Sequence, residues 1–239
     1  MKWEEKFEVN THDLDFNGIA RVSALMRFMQ EAANAQCRHM GPSLESLRDE
    51  QGVAFLLSRF SAGFYESIFA YDDLTVQTWG VESRGFSFNR CYRIWRNEQI
   101  VAEACAVWAL VNIATRRPVR VSEYKPGFAY DEMLALDVPP RIVFPSTDAL
   151  KLVGEHTVGY GEADQNMHLN NTHYSDMLCD TLDLREKRIH RLSFNFLNEA
   201  RLGDTVNIYS LHHGDDDFFR TLRTDGKVNV EAQFTLGEI

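Results

Sequence analysis

Apolar residues along the chain follow first one period and then another. Over residues 3–10 they alternate with polar ones, the period of a strand, and the cluster Asp13-Leu14-Asp15-Phe16-Asn17-Gly18 then reads as a turn. From Val22 the period lengthens: Val22, Leu25, Met26, Met29, Ala32, Ala33 and Gln36 share one helical face, with no breaker before Gly41-Pro42. A shorter helical piece follows over 44–50. Strand-like runs then take over at Val53–Tyr65, Leu74–Glu82, Phe86–Trp95 and Ile100–Asn112, the last two joined by the polar turn Arg96-Asn97-Glu98-Gln99. One long helix followed by an antiparallel meander predicts an α+β arrangement in which a sheet wraps the helix.

The same order returns further on. Asp15-Phe16-Asn17 precedes the first helix, and Asp164-Gln165-Asn166 precedes a second apolar stripe, Tyr174, Met177, Leu178 and Leu182. Asp73-Leu74-Thr75-Val76 resembles Asp204-Thr205-Val206, and Tyr92–Arg96 resembles Phe219–Arg223. The turns Asn97-Glu98 and Asp225-Gly226 precede Glu103-Ala104 and Glu231-Ala232. Matches that keep their order predict a duplicated helix-plus-sheet unit. Between the copies, residues 125–150 carry Pro126, Pro139, Pro140 and Pro145 without sustained periodicity. The units are therefore expected over 1–130 and 151–239, with 131–150 as the linker.

Candidate chemistry is concentrated in Asp164-Gln165-Asn166-Met167-His168-Leu169-Asn170-Asn171. In an extended segment side chains alternate, which places Asp164, Asn166, His168 and Asn170 on one face. With Asn170 or Asn171 as N-cap, that face sits at a helix mouth, where free N–H groups favour an oxyanion. The first copy has Ile19 where the second has His168, so the polar group occurs once. The expected division of labour puts chemistry in the second unit and an apolar cavity in the first. Met26, Phe28, Met29, Phe55, Leu56 and Leu57 are candidates to line it, although for any single one of them core is the stronger reading.

Charge and cysteine usage narrow the class. A formal net charge of -10 and the lack of a basic run argue against broad nucleic-acid binding. No apolar run approaches the ~20 residues of a membrane span. The charged, alternating start at Met1–Phe7 does not read as a signal or transit peptide, so a cytoplasmic location is expected. Cys37, Cys91, Cys105 and Cys179 are widely spaced, which predicts reduced thiols rather than a disulfide framework or zinc site. His168 and His173 are five apart, not the four of a zinc-binding helix, and no metal is expected.

Two regions resemble the acyl-acyl-carrier-protein thioesterases of plant and bacterial fatty-acid synthesis. In the first, Thr78-Trp79, Ser83, Arg90, Arg93, Ile100 and Ala104 lead into Trp108-Ala109-Leu110-Val111-Asn112-Ile113-Ala114-Thr115-Arg116-Arg117. The second is the stretch 164–171, which fits the family's catalytic Asp-x-Asn-x-His-x-Asn-Asn. The resemblance implies a double hotdog fold, no cofactor, and an acyl carrier protein as partner. It also implies a catalytic Glu on a strand over 191–199, which Glu199 matches. The family usually follows that Glu with Cys; here Ala200 stands there, so a cysteine nucleophile at that position is excluded. Cys179 is expected to be a buried structural thiol.

The site residues implied are Asp164, Asn166, His168 and Glu199, acting on the thioester of a fatty acyl chain to release free fatty acid. A thioester carbonyl needs only a positioned water, a base and oxyanion donors. Either Glu199 or Asp164 serves as base, or Asp164 attacks directly; His168 orients a carboxylate or protonates the leaving thiolate, and Asn166 stabilises the oxyanion. An acidic partner calls for a basic patch, for which Arg116, Arg117, Arg120 and Lys125, or Arg185, Lys187 and Arg188, are candidates. Acyl-CoA hydrolysis on the same fold, a hotdog dehydratase and a non-catalytic acyl-binding module are the competing readings. The duplication is compatible with a monomer or a homodimer of the double unit.

Overall fold

The computed structural model describes residues 1–124, 129–136 and 142–239. The first half contributes strands β1 (Trp3–Glu8), β2 (Val53–Phe64), β3 (Asp73–Val81), β4 (Ser87–Arg96) and β5 (Gln99–Asn112). The second contributes β6 (Lys151–Thr157), β7 (Lys187–Phe196), β8 (Thr205–His213), β9 (Asp216–Arg223) and β10 (Val228–Glu238). They form one antiparallel sheet in the order β1-β3-β4-β5-β2-β7-β10-β9-β8-β6. Outward from the β2–β7 seam the halves read β2-β5-β4-β3-β1 and β7-β10-β9-β8-β6, the same succession of equivalent strands. At the seam Ser61 pairs with Ser193, their hydroxyls 3.1 Å apart. The duplication read from the chain is thus the architecture.

Helix α1 (Val22–Met40) follows the predicted stripe, burying Leu25, Met26, Phe28, Met29, Ala32, Ala33 and Gln36. Arg38 and His39 in its last turn complement the negative helix end, and Gly41 terminates it. After α2 (Leu44–Asp49), the only other α-helix among the described residues is α3 (His173–Cys179). It buries Tyr174, Met177 and Leu178 but ends before Leu182. The Thr181 hydroxyl donates to the Leu178 carbonyl at 2.8 Å, a local bond that competes with the helix and turns the chain out. Leu182 still packs against the core from beyond the helix end.

The main core joins both halves, with Met29, Tyr92 and Ala104 from the first and Tyr174, Leu178, Phe194 and Phe234 from the second. A separate small cluster lies at the far end of the first half, where Leu47, Val53 and Leu110 pack with Phe55, Phe88, Val119 and Tyr124. In the connection between halves, Trp79 Nε1 donates to the Glu132 carbonyl at 2.7 Å, and Leu134 packs against the Trp79–Val81–Cys91 cluster. Pro126, Pro139 and Pro140 lie outside the described residues, as does Lys125. No helix among the described residues is long and apolar enough to cross a membrane.

Candidate active site

The stretch 164–168 is a tight turn rather than an extended segment, so its side chains do not share a face by strand alternation. Asp164 Oδ1 accepts the backbone N–H groups of Asn166 at 2.8 Å and His168 at 3.0 Å, and the Asp164 N–H donates to the His168 carbonyl at 2.7 Å. Met167 takes a left-handed φ of 61° to close the turn. The first half repeats the loop: Asp15 Oδ1 accepts from Asn17 N–H at 2.8 Å and Ile19 N–H at 3.3 Å, with Gly18 at φ 76°. A carboxylate that accepts two N–H groups fixes a loop whether or not chemistry follows. His168 is the side chain that distinguishes the second loop at this position.

Glu199 lies in the loop after β7 rather than on the strand, because the ladder with β10 ends at Phe196. The two loops meet through the bridge between His168 and Arg201 and through the Leu169 N–H, which donates to the Ala200 carbonyl at 2.8 Å. This contact brings His168 Nε2 to 3.4 Å from Glu199 Oε2, with side-chain exposures of 21% and 39% that leave both open to water. Asn166, at the exposed tip, donates from Nδ2 to Asp164 Oδ2 at 3.3 Å. Asp164, Asn166, His168 and Glu199 are therefore gathered in one place. Asn170 does not cap α3: Thr172 is the N-cap, and Asn170 Oδ1 accepts the Thr172 N–H at 3.0 Å one step upstream.

The Glu199 loop rests on groups that the sequence reading missed. Asn229, fully buried on β10, accepts the Leu197 and Asn198 N–H groups with its carbonyl at 3.0 Å each, and its side chain donates to the Asn198 carbonyl and, at 2.9 Å, to Tyr174 Oη. Burial pushes the Tyr174 phenol up to about 12, so it stays neutral. Arg223 donates to the Glu199 carbonyl at 2.8 Å. In Val228-Asn229-Val230 the Asn looks like an outward-facing strand position; the ladder irregularity between Val228 and Glu231 turns it inward, and no residue pattern announces that.

Asn171 and Thr172, at the end of the candidate loop, line a small cavity of about 20 Å³ under α1, with Met26, Met29, Gln30, Leu57, Phe60, Tyr92 and Trp108. Of the proposed lining residues, Met26, Met29 and Leu57 are there. Phe28 instead stacks on Phe7 at 4.8 Å, Phe55 belongs to the small cluster, and Leu56 is 40% exposed. A larger recess of about 420 Å³ opens at the other loop, between Asp15–Ile19 and Leu184–Ile189, and none of the four candidate residues lines it. Cys179 borders that recess; burial, reinforced by Asp176, Asp180 and Asp15, pushes its thiol up to about 12. Among the described residues no group of His, Cys, Asp and Glu is gathered that could hold a metal ion.

In the second basic patch two arginines are already engaged, while Lys187 is exposed. Arg188 donates to the Phe64 carbonyl at 2.7 Å and the Tyr65 carbonyl at 3.0 Å, tying the seam, and Arg185 pairs with Asp183 at 2.7 Å. In the first patch Arg116, Arg117 and Arg120 are exposed, Arg120 stacking over Phe86 at 4.7 Å.

Residues 1–125 match the acyl-ACP thioesterase N-terminal domain and residues 147–236 the acyl-ACP thioesterase C-terminal domain. The chain is 22% identical over 251 residues to palmitoyl-acyl carrier protein thioesterase, chloroplastic, of Gossypium hirsutum, covering 100% of this chain and 58% of that protein. It thus spans less than two thirds of that relative's length. The crystal structure of an acyl-ACP thioesterase from Bacteroides thetaiotaomicron superposes with a TM-score of 0.89 at 21% identity, covering 99% of this chain and 98% of that one. The 12:0-ACP thioesterase from Umbellularia californica superposes at 0.77 and 16% identity, over 100% and 98%. These likenesses show the fold, an α+β double hotdog, and the two domain matches cover most of the sequence. The chain belongs to the acyl-ACP thioesterase family.

Proposed function

We propose that this protein hydrolyses the thioester of a fatty acyl chain carried on acyl carrier protein, releasing free fatty acid and the carrier thiol. The observation that supports this most is the pairing of His168 with Glu199 at 3.4 Å beside a loop whose last residues line an apolar cavity. The His168 loop thus runs from the imidazole–carboxylate pair to a small cavity of mostly apolar lining.

Glu199 is the base in this reading. Asp164 Oδ1 is committed to two backbone N–H groups, and Asp15 makes the same contacts in a half that lacks the His. Asp164 therefore positions the loop. Glu199 takes a proton from water, and the resulting hydroxide attacks the thioester carbonyl. The second N–H of the Asn166 amide, with loop backbone donors, stabilises the tetrahedral oxyanion. Collapse breaks the C–S bond, and the thiolate takes a proton through His168 from protonated Glu199, restoring the site. Water and thioester become carboxylic acid and thiol, with no other reactant.

Comparing turnover on matched acyl-carrier-protein and acyl-CoA thioesters tests the substrate. Faster kcat/KM on the carrier-bound chain is expected. Equal or greater activity on CoA esters contradicts the carrier assignment, and inertness on both leaves acyl binding without catalysis.

A further inference from the structure

On α1 the residues that face the sheet run Met26, Met29, Ala33 and Gln36, about one per turn. Met26 and Met29 line the cavity that Asn171 and Thr172 also border. Seven residues beyond Met29, about 10 Å along the helix axis, Gln36 is 0% exposed. Its Oε1 accepts Arg90 Nη1 at 2.6 Å, and the same Nη1 reaches Thr78 Oγ1 at 3.0 Å; Thr78 is also 0% exposed. A guanidinium is a donor only, so it fixes the amide with the oxygen toward Arg90. The Nε2 turned away meets no acceptor among the described residues.

This polar trio stands between two apolar regions. On β4, Tyr92 belongs to the main core and Phe88 to the small cluster, and Arg90 lies between them on the same face. On the neighbouring β5, Ala106, paired with Arg90, is in the main core, and Leu110 is in the small cluster. An alkyl chain that entered at Asn171 and Thr172 and followed β4 past Tyr92 meets Arg90 and Gln36 next.

We propose that Gln36, Thr78 and Arg90 form the floor of the acyl pocket and set the longest chain the protein accepts. The inference rests on the thioester-hydrolase reading of the same site. A chain end that stops short of the floor is packed by Met26, Met29, Phe60 and Tyr92, and the flexible methionines make room for it. A methyl group pushed further separates the half-buried Arg90 guanidinium from the buried Gln36 and Thr78 oxygens and offers those two no hydrogen bond in return. The floor lies about 10 Å along the helix beyond Met29, a fixed stop for the chain end, so chains that reach past it are selected against.

The test is kcat/KM across saturated acyl-carrier thioesters of increasing length, together with calorimetric binding of the matching free fatty acids. Wild type is compared with Gln36→Leu, Thr78→Val and the Gln36→Leu/Arg90→Met pair, each checked for a cooperative urea transition. Removing the floor is expected to raise the preference for a chain two methylenes past the wild-type optimum roughly fifteenfold, since each methylene moved into apolar surroundings is worth about fourfold. Thr78→Val keeps shape and volume, and is expected to shift the profile in the same direction by less. Should the pair fail to fold, the single variants carry the test. A wild type that binds fatty acids with a length cut-off moved by Gln36→Leu, yet hydrolyses nothing, removes the thioesterase reading and keeps the floor. Folded variants with an unmoved length profile in both assays overturn the floor.

Discussion

Asp164 and Asp15, one in each half, hold their loops by the same hydrogen bonds. Each Oδ1 accepts the N–H groups two and four residues on, and each backbone N–H donates to the carbonyl four residues on, at 2.7 Å to His168 and 2.8 Å to Ile19. The carboxylate is thus a device for shaping the loop, inherited by both copies. The second copy adds an imidazole to it.

Replacing Asp15 by Ala should therefore cost about 1.5–3 kcal/mol of stability, the range for hydrogen bonds to a charged group, with kcat within about twofold of wild type. Asp164→Ala should lose comparable stability and also turnover, because His168 and Asn166 are displaced. Urea unfolding beside thiol release separates the two effects. A folded Asp15→Ala protein as inactive as Asp164→Ala contradicts the division between the halves.

Met167 holds a left-handed φ of 61° where the first loop has Gly18. Met167 is 60% exposed, so its side chain contributes little packing. Met167→Gly should stay within about 0.5 kcal/mol of wild type, the relieved backbone offsetting the freer unfolded chain. Met167→Val, which places a β-branched residue there, should cost about 1–2 kcal/mol. Equal stability of the Gly and Val variants contradicts the left-handed turn.

Glu162 supplies a pH dependence. Burial works to raise its carboxyl, but the Gly159 N–H at 2.9 Å and His156 Nε2 at 2.9 Å outweigh that and hold it below its usual 4.5. A lowered folded value means stability that is present above the unfolded value and lost as pH falls through the folded one. Glu162→Gln should be less stable than wild type by about 0.5–1 kcal/mol at pH 7, and the gap should narrow as pH falls below the usual 4.5. A gap that widens in acid reverses the sign and refutes the pairing.

The Cys179 thiol, pushed up to about 12, carries almost no thiolate at neutral pH. Cys179→Ala should keep kcat within about twofold. Alkylation of Cys179 at pH 8 should be on the order of a thousandfold slower than that of a free thiol. Rapid labelling coupled to loss of activity is the contrary result.

Much of the fold was legible because periodicity follows burial. The stripe from Val22 to Gln36 became α1, and the four runs after Val53 became β2 to β5 within a few residues. The repeat was legible because Asp-x-Asn, unlike an apolar residue, does a particular job in each copy. The geometry of the site was not. Its residues meet through a turn and a loop-to-loop bridge, between His168 and Arg201, which no alternation encodes. Asn229 and Arg223, which hold the Glu199 loop, come from strands far along the chain and become partners only when β9 and β10 pair with the sheet.

The proposed roles of Glu199 and His168 in the chemistry are open to a single test. The direct measurement is release of thiol and free fatty acid from acyl-carrier-protein thioesters by wild type, Glu199→Ala and His168→Ala, at matched concentrations of folded protein. Wild type is expected to hydrolyse them and each variant to lose at least ~100-fold in kcat, with urea midpoints near wild type. A folded Glu199→Ala protein that turns over within about threefold of wild type contradicts those roles.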